Sequence, residues 1–246
     1  HGRIGQHASS TVLSGFTGVL DSLLQKGVTN SQVCFDRLCE AGYSGGLTQV
    51  KTYIQQHHDL VPAKRSIVVP QGPRSFRYKT EPGEAYQMDW GFVKAHMQSG
   101  KIEQIACFAM ICHHCGEIFV EFFPNAKQEN LFIGMLHGFR SMYVPERVVT
   151  DNMKSVVIGR AADGSPIWQK DYEQFMNVFQ FQTTLCQPRH PYTKGAVERL
   201  VRFVKENFLP GRVFTDLTDL NRQASHWCNQ KNNSYRKASD CIPAQR

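Results

Sequence analysis

The sequence predicts an α/β protein, a mixed sheet flanked by helices and preceded by a small all-α helix-turn-helix domain. Three observations carry that expectation. Up to residue 58 apolar side chains recur at helical spacing. Between 59 and 84, Pro62, Pro70, Pro73 and Pro82 forbid a continuous helix. Beyond 85, strand-like runs alternate with amphipathic segments, the pattern of helices packed on one sheet. The expected division is therefore 1–58, 59–84 and 85–246.

Residues 1–10 show no periodicity and read as a tail. Val12, Phe16, Val19, Leu20, Leu23 and Leu24 make a helical stripe over 12–26, closed by Gly27. Thr29 or Ser31 is placed to cap a second helix running to Ala41, with Val33, Phe35 and Leu38 inward. The cluster Gly42-Tyr43-Ser44-Gly45-Gly46 predicts a turn. A third helix comes next, with Leu47, Val50, Tyr53 and Ile54 facing a core. This order suits a helix-turn-helix whose last helix enters the major groove, and equally a plain three-helix bundle. In the first case Gln49, Thr52 and Gln55 are candidates to read base edges and Lys51 to hold phosphate. The linker adds Lys64, Arg65, Arg74 and Arg77, so it can lie along a phosphate backbone or serve as a spacer.

In the third segment, strands are expected at 85–93, 102–112, 117–123, 147–150 and 181–185. Helices are expected at 128–143, at 167–179 and behind Gly195. The first of these helices turns Leu131, Met135, Leu136 and Phe139 to one side. The last carries Val197, Leu200, Val201, Val204 and Phe208 in one apolar stripe, with Lys194, Glu198, Arg202 and Lys205 along another line. Cys112-His113-His114-Cys115 has zinc-ligand residue types at zinc spacing, but no second matching pair comes after it. It reads as a turn between two strands, and no zinc is expected.

Composition narrows the partners. A formal charge of +7 and a pI near 9.0 favour a polyanion. No apolar run approaches the roughly 18–20 residues of a membrane span, so no membrane partner is expected. Eight irregularly spaced cysteines fit a reducing cytoplasm better than a disulfide framework. The chain opens on His1 with no charged-then-apolar leader and reads as a piece excised from a longer protein.

Asp89 lies inside an apolar strand between Met88 and Trp90, where an unpaired carboxylate is costly. Asp151 stands at the end of a later strand and Glu198 on the last helix. Carboxylates so placed can converge on one sheet edge and share divalent ions, which activate an attacking oxygen and stabilise a leaving one. Asp163, Asp171 and Glu173 compete for this role, but Asp163 sits in an Asp-Gly turn and the others have no strand end before them.

Tyr86-Gln87-Met88-Asp89-Trp90-Gly91, Val149-Thr150-Asp151-Asn152 and His190-Pro191-Tyr192-x-x-Gly195-x-x-Glu198-Arg199 resemble the Asp, Asp and Glu motifs of integrase-type transposases with an RNase H-like fold. With the Gly42 to Gly46 turn and the Pro82 to Gly91 block, the pattern is similar to the IstA-type insertion-sequence transposases over about residues 20–246. That resemblance implies a bacterial, nucleoid-associated enzyme of the cytoplasm. It implies metal-dependent cleavage that frees a 3′-hydroxyl, then strand transfer, with Mg2+ (or Mn2+ in its place) held by Asp89, Asp151 and Glu198. Lys154, His190, Lys194, Arg199 and Arg202 become candidates for contact with phosphate. The implied partners are double-stranded transposon-end DNA, target DNA, further copies of the chain on paired ends, and an AAA+ ATPase of the IstB type. Such transposases usually carry a further N-terminal helix-turn-helix and a C-terminal region, which this chain is not expected to contain. A purely hydrolytic RNase H-like nuclease and a DNA-binding regulator with an inactive catalytic domain are the other two readings.

Overall fold

A computed structural model describes residues 12–62, 80–186, 195–237 and 239–246. Its contacts form two compact units. One holds the described residues of His1–Gln71 together with Glu206–Arg212, and the other those of Gly72–Lys205 with Val213–Arg246.

In the first unit a 3-10 turn, Val12–Phe16, runs into α1 (Thr17–Gln25), and then come α2 (Ser31–Glu40) and α3 (Leu47–Gln56). Leu20, Leu24, Leu38, Tyr43, Val50 and Ile54 share their core. Two local expectations change. Leu13 is buried while Val12 and Val19 are exposed; the opening 3-10 turn has three residues per turn, so the stripe does not hold the phase of an α-helix. Asn30, not Thr29 or Ser31, caps α2, its Oδ1 accepting from the amides of Gln32 at 3.0 Å and Val33 at 3.4 Å. The turn before α3 is built on Tyr43, which is buried and whose hydroxyl donates to Gln49 Oε1 at 2.8 Å. A Cβ on Gly45 would stand 2.2 Å from that hydroxyl oxygen, so this position must be glycine. Arg37, also buried, donates to the carbonyl oxygens of Asn207, Phe208 and Pro210 at 3.3, 3.0 and 3.2 Å. These bonds hold Glu206–Arg212 in the helical unit.

The second unit is a five-stranded sheet in the order β3-β2-β1-β4-β7. Its strands are β1 (Ala85–His96), β2 (Ile102–Cys112), β3 (Ile118–Phe123), β4 (Arg147–Thr150) and β7 (Gln182–Leu185), while β5 (Val157–Arg160) and β6 (Pro166–Trp168) pair apart as a hairpin. The first three strands are antiparallel, and β4 runs parallel to both β1 and β7. The helices are α4 (Gln128–Met142), α5 (Lys170–Phe179), α6 (Gly195–Phe203) and α7 (Leu217–Asn232). Met88, Phe108, Met110 and Val148 from the sheet pack with Leu131, Met135 and Phe139 of α4 and with Tyr172 and Met176 of α5. Leu136, expected inward, is exposed. The helix expected from 167 starts at Lys170, because Pro166–Trp168 pairs with β5 and the Gln169 side chain caps the first turn of α5. Among the described residues no helix is long and apolar enough to cross a membrane.

Strand β3 lies at one edge of the sheet, where free amides invite pairing with another chain. Helix α7, absent from the elements expected from the sequence, closes that edge with two side-chain amides. Asn232 accepts from Ile118 N–H and donates to Ile118 O, both at 2.9 Å. Asn221 does the same for Phe122, at 2.7 and 2.9 Å. Each asparagine thus imitates one residue of a neighbouring strand.

Helix α6 is seated on β1 at two points. The Gln87 carboxamide oxygen accepts from Val197 N–H at 3.2 Å. Near it, a Cβ built on Gly91 would come within 2.5 Å of Val201 Cγ1, so the helix rests where a side chain is missing. Val197, Leu200, Val204 and Phe208 are buried and Val201 is half-buried, as the apolar stripe requires. Beyond Phe203 the winding widens to a π-helical turn, Val204–Phe208.

Two measurements check these contacts. Asn232→Leu leaves a buried donor and acceptor of β3 unpaired and should cost about 1–3 kcal/mol in equilibrium unfolding. Asn233→Ala, at an exposed neighbour, should stay within about 0.5 kcal/mol of the parent. Gly91→Ala should cost about 1–3 kcal/mol through overpacking. In a Val201→Ala background the same change should cost much less, a non-additivity that a double-mutant cycle reads directly.

Candidate active site

Strands β1 and β4 run parallel in the register Tyr86↔Val148 and Gln87↔Val149. Carried two residues further, that register sets Asp89 level with Asp151. Strand β4 ends at Thr150, so Asp151 leaves the sheet just where Asp89 continues in β1. Alternate residues of a strand share a face. Gln87 and Gly91 both meet α6, so Asp89 between them is directed to the α6 side, while Met88 belongs to the core on the other face and Trp90 packs against it. Glu198 comes directly after Val197 on α6 and lies between that helix's two seating points. Asp89 and Asp151 are half-buried and Glu198 is exposed. The three carboxylates thus come from the interior of β1, the carboxyl end of β4 and the first turn of α6, with Asp89 and Asp151 level on neighbouring parallel strands.

These donors are oxygen only, which suits a hard divalent ion such as Mg2+ better than a thiolate- or imidazole-loving one. Among the described residues, no three His, Cys, Asp or Glu side chains are grouped closely enough to hold an ion. For the carboxylates, ion binding therefore requires the side chains to draw together. The Cys112-His113-His114-Cys115 turn joins β2 to β3; its two thiols hydrogen-bond to each other, while its two imidazoles face separate partners. A hydrogen bond with Cys115 holds the Cys112 thiol down at about 7 and drives that of Cys115 upward. His114 Nδ1 faces the carbonyl of Thr80 at 2.5 Å. His113 Nε2 faces Gln87 Oε1 at 3.4 Å, and burial pushes its pKa down.

Gln49, Lys51, Thr52 and Gln55 are all exposed on α3, although two of them already have partners. Gln49 accepts from Tyr43, and Thr52 Oγ1 donates to Thr48 O at 3.0 Å. Lys154, Arg199 and Arg202 are exposed in the sheet unit. Lys64, Arg65, Arg74, Arg77, His190 and Lys194 lie outside the described residues. Of the competing carboxylates, Asp163 accepts from Ser165 N–H at 2.9 Å and Ser165 Oγ at 2.6 Å in the β5–β6 turn. Asp171 accepts from Gln169 Nε2 at 3.3 Å in the first turn of α5. Sequence reasoning named Gln87 and His113 only within their motifs and gave neither a role at the site. The available signal was a glutamine on the same strand face as Asp89, two residues before it.

No family model matches the chain. It is 29% identical over 224 residues to a putative transposase for insertion sequence element IS5376 of Geobacillus stearothermophilus, covering 91% of this chain and 54% of that protein. It is 28% identical over 218 residues to the transposase for insertion sequence element IS21 of Pseudomonas aeruginosa, covering 87% of this chain and 53% of that protein. The chain thus spans about half the length of these relatives. Among solved structures it is similar to the HTLV-2 integrase catalytic core domain in complex with magnesium, with a TM-score of 0.51 at 14% identity, covering 68% of this chain and 98% of that one. The simian T-cell lymphotropic virus intasome in complex with PP2A regulatory subunit B56 gamma gives a TM-score of 0.50 at 14% identity, covering 83% of this chain and 68% of that one. By sequence the chain is similar to insertion-sequence transposases, those of IS5376 and IS21 among them, and its sheet unit has an RNase H-like fold similar to that of the HTLV-2 integrase catalytic core domain.

Proposed function

We propose that this chain is the catalytic core of an insertion-sequence transposase, which cleaves transposon-end DNA to free a 3′-hydroxyl and joins that end to target DNA. The observation that supports this best is the level placement of Asp89 and Asp151 on parallel strands, with the helix of Glu198 seated beside them. In this reading residues 1–58 form a helix-turn-helix, 59–84 a basic linker and 85–246 the catalytic domain.

Asp89, Asp151 and Glu198 hold divalent ions, Mg2+ or Mn2+. Those ions, when bound, activate the attacking oxygen and stabilise the leaving one. Lys154, His190, Lys194, Arg199 and Arg202 position the phosphodiester. Gln49, Thr52 and Gln55 read bases, and Lys51, Lys64, Arg65, Arg74 and Arg77 hold phosphates. Further copies of the chain on paired ends and an AAA+ ATPase of the IstB type complete the proposed assembly, at the nucleoid of a bacterial cytoplasm.

Incubation with labelled duplex ends, target DNA and Mg2+ tests the proposal. Joined products are expected. Nicks alone would indicate a hydrolytic nuclease, and a mobility shift without chemistry a binding regulator. Asp89→Ala, Asp151→Ala and Glu198→Ala should each lower joining by more than about a hundredfold, the upper range for loss of a mere supporting residue at a metal site. DNA affinity should change little, because it comes mainly from Lys and Arg on phosphates. A dead Asp171→Ala beside an active Asp151→Ala would show that the second carboxylate is Asp171.

Recognition has its own test. Gln49→Ala or Gln55→Ala should reduce discrimination between end and scrambled DNA by about 1–3 kcal/mol. Tyr43→Phe, which removes the hydroxyl that orients Gln49, should reduce it in the same direction. Arg74→Ala should weaken both DNAs alike and lower the salt slope by roughly one unit. If both Gln variants discriminate as well as the parent, α3 does not read bases.

A further inference from the structure

Gln87 is fully buried in the middle of the sheet. A buried carboxamide must have its polar atoms satisfied, and here the choice of partners carries information. Only an acceptor can face the backbone N–H of Val197, so the oxygen of Gln87 points to α6. That same oxygen faces His113 Nε2, which must then carry the ring proton and donate. His113 is itself fixed to the start of β1, its backbone N–H donating to Ala85 O at 3.0 Å. Two donors thus lock the carboxamide in one orientation.

Val197 lies in the first turn of α6, where backbone N–H groups have no partner within the helix. The bond to Gln87 is therefore a helix cap supplied by the sheet, one residue before Glu198 and two residues from Asp89 on the same strand face. The Gly91–Val201 contact seats the helix about one turn further along. Helix α6 also packs on β2, and on β1 two contacts a turn apart fix both its rotation and its slide relative to Asp89. The geometry points to Gln87 as a positioning residue: its carboxamide oxygen, locked by His113, sets the height and rotation of Glu198 against Asp89 and Asp151, and so sets how readily the three carboxylates take a divalent ion. This inference rests on the proposed role of those carboxylates.

The test compares the parent chain with Gln87→Met, which keeps length and loses the acceptor, and Gln87→Glu, which keeps an acceptor oxygen. Three quantities are read: hydrogen exchange of the Val197 amide, the Mg2+ concentration that half-saturates the metal-induced rise in melting temperature, and DNA joining. Gln87→Met should speed exchange at Val197 at least about tenfold and raise the half-saturating Mg2+ about 10–100-fold, with joining falling in step and recovering at high Mg2+. Gln87→Glu should stay within a few-fold of the parent in all three. Unchanged exchange in Gln87→Met would overturn the cap. Faster exchange with unchanged Mg2+ dependence would overturn the positioning role while leaving the carboxylates in theirs. Equal losses in Gln87→Glu and Gln87→Met would overturn the role of the acceptor oxygen, and if Gln87→Met does not fold, Gln87→Glu falling outside that few-fold range does so alone. A parent whose melting temperature responds to Mg2+ no more than that of Asp89→Ala would sink the metal-site reading, and this inference with it, while the exchange result would still report on the cap.

Discussion

The close seating of α6 on β1 is the contact on which the candidate site depends. A strand places its residues by register, and slipping by one would turn Asp89 from the α6 face into the apolar core. A helix places its residues by rotation, about 100° for each position. Combining a carboxylate from each requires that one element be keyed to the other, and Gly91 and Gln87 are the keys. The neighbouring side chains on β1, Met88 and Trp90, anchor the opposite face in the α4–α5 core. The strand therefore cannot roll to track the helix. Asp89 is held opposite Ala109 of β2 on one side, while the pairing with β4 on the other side ends at Gln87, two residues before it.

Buried polar side chains in this protein largely finish backbone hydrogen bonding that secondary structure leaves open. Asn221 and Asn232 complete the β3 edge, Gln87 completes the first turn of α6, and Arg37 collects carbonyls from Asn207 to Pro210. Each tolerates burial because its partners are obligatory backbone groups that would otherwise lack water. This also explains why such residues look out of place in an apolar pattern. Their partners lie far away in sequence, 99 positions for Asn221 and Phe122, 110 for Gln87 and Val197 and 114 for Asn232 and Ile118.

Those distances mark what the sequence could convey. The sheet class was legible because β1, β2 and β3 each carry local apolar runs, and Asp89 was conspicuous because it interrupts one. The boundaries that failed did so from competition between local signals. Asn30 capped α2 where Thr29 and Ser31 were equally eligible by residue type. Pro166–Trp168 took strand pairing inside a segment whose apolar spacing suited a helix. Helix α7 was not expected, although Leu220, Ala224, Trp227 and Cys228 fall at helical spacing among mostly polar residues, with Asn232 buried on the same stripe. Gln87 stood in the Asp89 motif without a role because its meaning depends on a helix that arrives far later in the chain.

The proposed chemistry also gives a physical reason for a basic protein to carry an acidic site. Three carboxylates facing a phosphodiester repel it, and a backbone of phosphates adds to that repulsion at long range. Cations must therefore do two separate jobs. In the proposed complex exposed Lys and Arg would supply affinity through the phosphate backbone, an effect that salt weakens. In the proposed site divalent ions would neutralise the carboxylates, which scattered lysines and arginines cannot do without losing the oxygen donors the ions need. Arg199 and Arg202 come just after Glu198 on α6, and Lys154 just after Asp151, so positive charge stays close in sequence to each of these two carboxylates. Because Glu198 is the most exposed of the three and the only one carried by a helix, its position has the most freedom to vary. A device that fixes α6 against β1 is thus worth most at that carboxylate, beside which Gln87 makes its bond.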